Sequence, residues 1–253
     1  MKDFNIEINN PKDSFYFSQR EVFGNFTMKS NHFHDQYEIY YLLKGERNYF
    51  IKDRVYKILP GNLVFINKYE LHKTTDGNSD NHTRILINLR TDYFKQSPDI
   101  DSLFYRLFSL ENNVIEFSNE GRNHIENLFK DIIEESQRMD GFSNLKIQSL
   151  IIDLMVFSAR NGFFISDSSV LTDKKVYTKM SDIVMYINEN YPQNITLPLL
   201  SNRFFISKYH LSRAFKDSTG FTFIEYLNSV RIREAQRLLV ESDLKIIDIS
   251  QNI

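Results

Sequence analysis

Among the 253 residues there is no cysteine and no tryptophan, and there are only 8 glycines and 5 prolines. Without cysteine the chain can form neither a disulfide nor a thiolate metal site, and it needs no oxidising compartment. So few glycines, none in a phosphate-cradling loop, argue against nucleotide chemistry. No Ser/His/Asp set stands at a known catalytic spacing. Long apolar runs are missing as well. The longest, LIIDLMVF at 150–157, is short and broken by Asp153, so no membrane span fits. The opening MKDFNIEINNPKD has no apolar core of the kind a secretory signal carries. A cytosolic protein follows by elimination. A strong net charge is also lacking. The balance of −2 argues neither for nor against nucleic acid, but its distribution is uneven. Residues 1–166 hold 20 Lys+Arg against 23 Asp+Glu, whereas 201–253 hold 8 against 6. The small basic excess therefore lies near the C-terminus.

What is present is a folded composition, 42% hydrophobic and 14% aromatic, in a length that suits two medium domains or one large one. From about residue 15 to 90 the pattern is β. The runs YEIYYLL (37–43), NYFIK (48–52), LVFI (63–66) and RILINL (84–89) are separated by turn signals at Gly45, Pro60-Gly61 and Asp76-Gly77-Asn78. Short strands at this spacing predict a sandwich or small barrel. The period then changes. Ile125, Leu128, Phe129, Ile132 and Ile133 recur at spacings of three and four in 121–139, and Leu150, Ile151, Leu154, Met155 and Phe157 form a broader stripe in 143–160. These helices can bury their faces on the barrel or against a second copy of the chain. Residues 161–176 look like a linker, and a helix resumes at about 177–190 with Ile183, Val184 and Ile187 inward.

The segment ITLPLLSNRFFISKYHLSRAFKDSTG (195–220) predicts two short helices and a tight turn. Thr196 is an N-cap and Pro198 sits in the first turn of the first helix; Leu197, Leu200 and Phe204 can face inward, and Ser201 is small at the crossing. Ser207 caps the second helix, Leu211 and Phe215 are its inward pair, and Gly220 ends it. Between Arg203 and Lys216 stand four cations (Arg203, Lys208, Arg213, Lys216) and no acid. With the inward pair buried, Lys208, Tyr209, Ser212, Arg213 and Lys216 lie outside. Arg213 can be bidentate to guanine, Tyr209 and Ser212 can touch base edges or thymine methyls, and the lysines suit phosphates. On charge alone, an ordinary solvated helix pair would explain them equally well. Thr222-Phe-Ile-Glu225 is then a capping box that starts a helix running to about Glu241, with Ile224, Leu227, Val230, Ala235, Leu238 and Leu239 as its apolar stripe. Such a rod, ~28 Å long, could space two reading heads along a duplex. A second head begins at LKIIDISQNI (244–253).

FISKYHLSRAFKDSTGFTFIEYLNSVRIREAQRLL followed by IIDISQNI resembles the DNA-binding domain of AraC/XylS-type bacterial transcription regulators, in which two helix-turn-helix units are joined by a long helix. The resemblance covers about 177–253. It puts Tyr209, Ser212 and Arg213 where the first recognition helix reads bases. Phe205 departs from the pattern at a turn position where a small residue is common. The family continues beyond a point like Ile253, so the second unit is expected to be incomplete. Arg231 falls in the rod's apolar stripe, where an ion pair with Asp248 is expected.

His32-Phe-His34-x-x-x-Glu38, with Tyr40, Gly45, Pro60-Gly61 and His72, resembles the cupin pattern over about 25–90. Positions 32, 34, 38, 40 and 42 share one strand face if the strand runs that far back. Three readings of His32, His34, Glu38 and His72 stay open. They can floor an effector pocket walled by Tyr40, hold Fe, Mn, Ni or Zn, or be satisfied structural groups. His82, His124 and His210 have no partner at metal spacing.

The expected fold is α+β. A cupin-like antiparallel β-barrel with two dimerisation-type helices (1–165) is followed by a linker (166–176) and an all-α helix-turn-helix domain (177–253). The expected function is sequence-specific control of transcription in response to a small molecule, a sugar or related metabolite being one class. No cofactor is required. The resemblance implies promoter DNA, the effector, a second copy of the chain and RNA polymerase as partners, and no membrane. The rival reading is a metal-dependent cupin enzyme, a dioxygenase or isomerase, with a helical appendage.

Overall fold

Side-chain alternation along the strands sets the layers of this molecule. A computed structural model describes residues 5–9, 14–24, 34–52, 54–109, 113–138, 140–164 and 176–253. The strands are β1 (Ile6–Asn9), β2 (Phe15–Phe23), β3 (Tyr37–Lys44), β4 (Arg47–Ile51), β5 (Arg54–Ile58), β6 (Leu63–Ile66), β7 (His72–Asp76), β8 (Asn81–Leu89), β9 (Val114–Glu116) and β10 (Phe163–Phe164). They form a seven-stranded sheet in the order β1-β2-β8-β3-β6-β9-β10 and a three-stranded sheet in the order β5-β4-β7, with every pairing antiparallel. The expected β runs are all strands. Strands β5 and β7 carry little β signature in the sequence, because their polar and basic residues (Arg54, Lys57, Lys73, Thr74, Thr75) dilute the apolar signal.

The two sheets face each other. Tyr40, Leu42, Val64 and Ile66 from the large sheet meet Tyr49, Ile51, Tyr56 and Ile58 from the small one, all buried. One residue along, the opposite faces bury against something else. Ile39, Tyr41, Leu63, Phe65, Ile85 and Ile87 point away from the barrel and are covered by α1 (Pro98–Phe108), α2 (Asn119–Arg138) and α3 (Ser143–Asn161). Ile125, Phe129 and Ile132 of α2 and Ile151, Leu154 and Met155 of α3 are buried there, so the broad apolar stripes are used on the chain's own sheet. The helix α1 lies outside the sequence reading. Its Ser97 cap and Pro98 mark a helix start, although its apolar residues cluster late in the segment.

The C-terminal part is helical: α4 (Val176–Asn190), α5 (Leu197–Arg203), α6 (Lys208–Thr219), α7 (Phe223–Glu241) and α8 (Ile246–Gln251). Ile183, Val184, Ile187, Leu200, Leu211, Phe215, Tyr226, Leu227 and Val230 make its core. Phe50, Val55 and Leu71 from the outer side of the small sheet belong to that same core. The result is four layers: helices, large sheet, small sheet, helices.

Two expectations about α7 are corrected. Its expected stripe is buried only in part: Leu227 and Val230 are inside, but Ile224 near its start and Leu239 near its end are exposed. The far half of the rod is covered only in part, with Ala235 and Leu238 half-buried and α8 packed against it. Arg231 does not pair with Asp248. Its Nε donates to the Tyr191 carbonyl at 2.9 Å and a terminal nitrogen donates to the Gln193 carbonyl at 3.1 Å. The turn after α4 brings both carbonyls within reach of one guanidinium fork, and the Gln193 carbonyl, which already accepts from Ile195 N at 2.8 Å, takes the arginine as a second donor.

Candidate functional site

The helix-turn-helix segment is built from local signals that all agree. Thr196 Oγ1 accepts from Leu199 N at 3.3 Å, Ser207 Oγ accepts from His210 N at 3.4 Å, and Thr222 and Glu225 complete a reciprocal capping box. Gly220 closes α6 in the left-handed region at φ +76°, which glycine adopts without a β-carbon penalty. Leu211, Ala214 and Phe215 are buried. Lys208, Tyr209, Ser212, Arg213 and Lys216 are therefore all exposed, Tyr209 by 78%. Arg213 has one loose neighbour, Asp217 Oδ2 at 3.7 Å, a surface pair of little strength. Ser201, expected as a small spacer, also stitches the turn. Its hydroxyl donates to the Ile206 carbonyl at 2.6 Å while Ile206 N donates to the Ser201 carbonyl at 3.1 Å.

In the barrel, strand parity brings Glu38 inward with Tyr40. His34 precedes β3 yet reaches Glu38, its Nε2 lying 3.2 Å from Oε2. His72 Nε2 is 3.6 Å from the same oxygen, and the Tyr49 hydroxyl donates to Glu38 Oε1 at 2.6 Å. Both imidazoles are oriented from behind. His34 Nδ1 lies 2.8 Å from the Gln36 carbonyl and His72 Nδ1 lies 2.7 Å from the Glu70 carbonyl. A carbonyl only accepts, so each Nδ1 carries its proton and each Nε2 faces the carboxylate. Burial alone would raise the Glu38 pKa, but the two imidazoles outweigh it and hold the carboxyl well below its usual range. Burial would likewise depress His34, but Glu38 outweighs it and raises its pKa. The Tyr40 hydroxyl is buried with no hydrogen-bond partner among the described residues, and burial pushes its pKa up to about 12. His34, Glu38 and His72 offer ligand atoms that all lie within 4.8 Å of one another. His32 lies outside the described residues. His82 is buried apart from this cluster, and His210 is exposed.

Strands β4 and β7 connect these two regions. Tyr49 and His72 point into the barrel, while Phe50 and Lys73, one residue along, point out and are paired across the ladder. The Phe50 ring lies edge-on to Phe221 and Tyr226, at 5.8 and 5.9 Å between centroids. The Tyr226 hydroxyl donates to the Lys52 carbonyl at 3.1 Å. Lys73 Nζ donates to the Gly220 carbonyl at the end of α6 and stands 5.0 Å over the Phe221 ring. Helix α6 thus ends against the back of the strands that carry Tyr49 and His72.

A family model described as an AraC-like ligand binding domain matches residues 22–155, and one described as a helix-turn-helix domain matches 200–253. The chain belongs to the AraC family. It is 29% identical over 220 residues to the HTH-type transcriptional regulator YbfI of Bacillus subtilis, spanning 86% of this chain and 76% of that one. An HTH-type transcriptional regulator of Staphylococcus aureus is 24% identical over 216 residues, and the match spans 83% of this chain but only 27% of that relative's length. A solved structure of ToxT from Vibrio cholerae aligns over 94% of this chain and 88% of its own, at 16% identity and a TM-score of 0.39. Within the described residues no helix is long and apolar enough to cross a membrane.

Sequence reasoning missed Tyr49, Phe50 and Lys73. The run NYFIK carried a signal for the first two: consecutive large apolar residues in a strand mean burial on both faces, here the barrel interior and the helical domain.

Proposed function

We propose that the chain is a DNA-binding transcription regulator in which α6 reads the major groove and a small molecule bound at the barrel cluster sets the reading. The observation that carries this is the division of α6 into a buried face, Leu211 and Phe215, and a fully exposed one bearing Tyr209, Ser212 and Arg213 between Lys208 and Lys216. Arg213 recognises a guanine edge, Tyr209 and Ser212 touch neighbouring bases, and the two lysines hold phosphates. In a gel shift on the DNA upstream of its own gene, Arg213→Ala is expected to lose ~1–3 kcal/mol of discrimination, and Lys216→Ala to weaken all sequences alike. Unchanged discrimination without Arg213 sinks this assignment.

The effector binds at Glu38, His34, His72 and Tyr40. The cluster supplies a carboxylate, two oriented imidazole nitrogens and an unused buried hydroxyl, enough to fix a small polar molecule, a sugar or related metabolite among them. Effector binding there moves Tyr49 and His72, and the same strands carry Phe50 and Lys73 to the end of α6. A ligand that favours one docking of these faces shifts the population of heads free to read DNA. Two copies of the chain pair through the barrel-side helices, where Phe142 and Leu145 are exposed at the start of α3. Sedimentation of Leu145→Lys checks that pairing, with a monomer expected.

A second reading rests on the two Nδ1 contacts. Metal-binding histidines commonly donate one ring nitrogen to a carbonyl while the other coordinates, as His34 and His72 are arranged to do. Calorimetric titration of the untagged chain with zinc and manganese separates the readings. Tight stoichiometric binding lost in His72→Ala favours an ion in the cluster. The family assignment, which spans both domains, favours a regulator over a metal-dependent enzyme in either case.

A further inference from the structure

The turn between α5 and α6 holds a large aromatic side chain in a backbone conformation that suits glycine. Phe205 has φ +52°, in the left-handed region, and it is 89% exposed. For a non-glycine residue this conformation carries a cost, and it persists only where the surroundings over-determine it. Here they do. Phe204 on one side is half-buried against Tyr186, with ring centroids 5.9 Å apart. Ile206 on the other side packs into the helical core and is tied to Ser201 through both its N–H and its carbonyl. With both neighbours anchored inward, Phe205 can only point out, immediately before the Ser207 cap of α6. One helical turn further stands Tyr209, also exposed, with Lys208, Arg213 and Lys216 around it.

The N-terminal residues of a recognition helix are those that contact base edges. The major groove presents a single apolar feature, the 5-methyl of thymine. We propose that Phe205 is a specificity-determining residue that packs on a thymine methyl next to the guanine read by Arg213. This rests on the reading of α6 as the recognition helix. Lys208 and Lys216 account for the neighbouring phosphates, and the strained turn accounts for how the ring is presented without a helix of its own.

The test enriches bound duplexes from a randomised double-stranded DNA pool with the full 253-residue chain. Each thymine of the enriched site is then replaced singly by uracil, which lacks only the methyl group. At one position next to the essential guanine, wild type is expected to bind the uracil duplex about fourfold more weakly, the worth of one buried methyl group. Phe205→Gly is expected to bind thymine and uracil duplexes equally while melting no lower than wild type, since glycine relieves the left-handed strain. The proposal is overturned if no uracil substitution weakens wild type, or if Phe205→Gly retains the uracil sensitivity. It is also overturned if Phe205→Gly weakens thymine and uracil duplexes by the same factor, the mark of a sugar–phosphate contact. Enrichment of a site whose binding requires Arg213, with no uracil effect, removes Phe205 alone. Failure to enrich any site removes the reading of α6 as well.

Discussion

Glu38 and Arg213 carry charges of opposite sign into opposite surroundings. Glu38 is buried and meets Tyr49, His34 and His72; Arg213 is exposed and, among the described residues, has only a loose contact to Asp217. A buried charge is tolerable only when its partners replace water, so each member of the barrel cluster is tied to the fold. An exposed cation on a helix whose other face is anchored costs nothing to display and keeps its full bonding capacity for a partner. The barrel cluster should therefore reveal itself through stability first, and the α6 surface through DNA binding alone.

The largest expected effect breaks the cluster. Glu38→Ala leaves Tyr49 and both imidazoles facing an empty position and should cost about 3–5 kcal/mol in urea unfolding. Arg213→Ala should stay within ~0.5 kcal/mol of wild type in the same assay. Comparable losses for the two would erase the distinction.

Gly220 sharpens the comparison at the junction of the two regions. A β-carbon there would lie 2.7 Å from Lys73 Cδ and would sit on a backbone at φ +76°. Gly220→Ala should cost about 1–3 kcal/mol and loosen the docking of α6 on β7. Protection of the Phe50 and Lys73 amides in hydrogen exchange should fall along with stability. A smaller loss, about 1 kcal/mol, is expected for Thr222→Ala, which removes half of the capping box that starts α7.

His82 supplies a pH signature. It is buried, and burial, with the Arg47 and Arg84 charges nearby, lowers its pKa to about 4. The unfolded chain takes up the proton near pH ~6.5, the folded chain only near 4. Stability contributed by the neutral ring is thus complete above the unfolded value and falls as the pH drops from ~6.5 towards 4. Histidine titration by NMR should show one ring of the 6 with a midpoint about 4, missing in His82→Gln.

Much of this was legible from the residues. The caps at Thr196, Ser207 and Thr222 and the glycine at 220 are local signals, and each lies where expected because the hydrogen bonds they make are short-range. The inward parity of Glu38 and Tyr40 followed from the period of a strand. The bond from Tyr49 to Glu38 was not legible, because it joins different strands across a barrel and depends on register. The partner of Arg231 is hidden for a related reason: backbone carbonyls outcompete Asp248, and nothing in composition marks which carbonyls a turn brings within reach of a guanidinium. Phe50 and Lys73 become meaningful only once the second domain lies against them.

The most direct measurement of the central claim is guanine methylation interference on an enriched DNA site, with wild type and Arg213→Ala side by side. Methylation at N7 blocks a bidentate arginine contact. One guanine should interfere with wild-type binding and lose that effect in Arg213→Ala, while interference elsewhere stays the same. Identical interference patterns for the two proteins would contradict the placement of Arg213 on a base edge and with it the reading of α6.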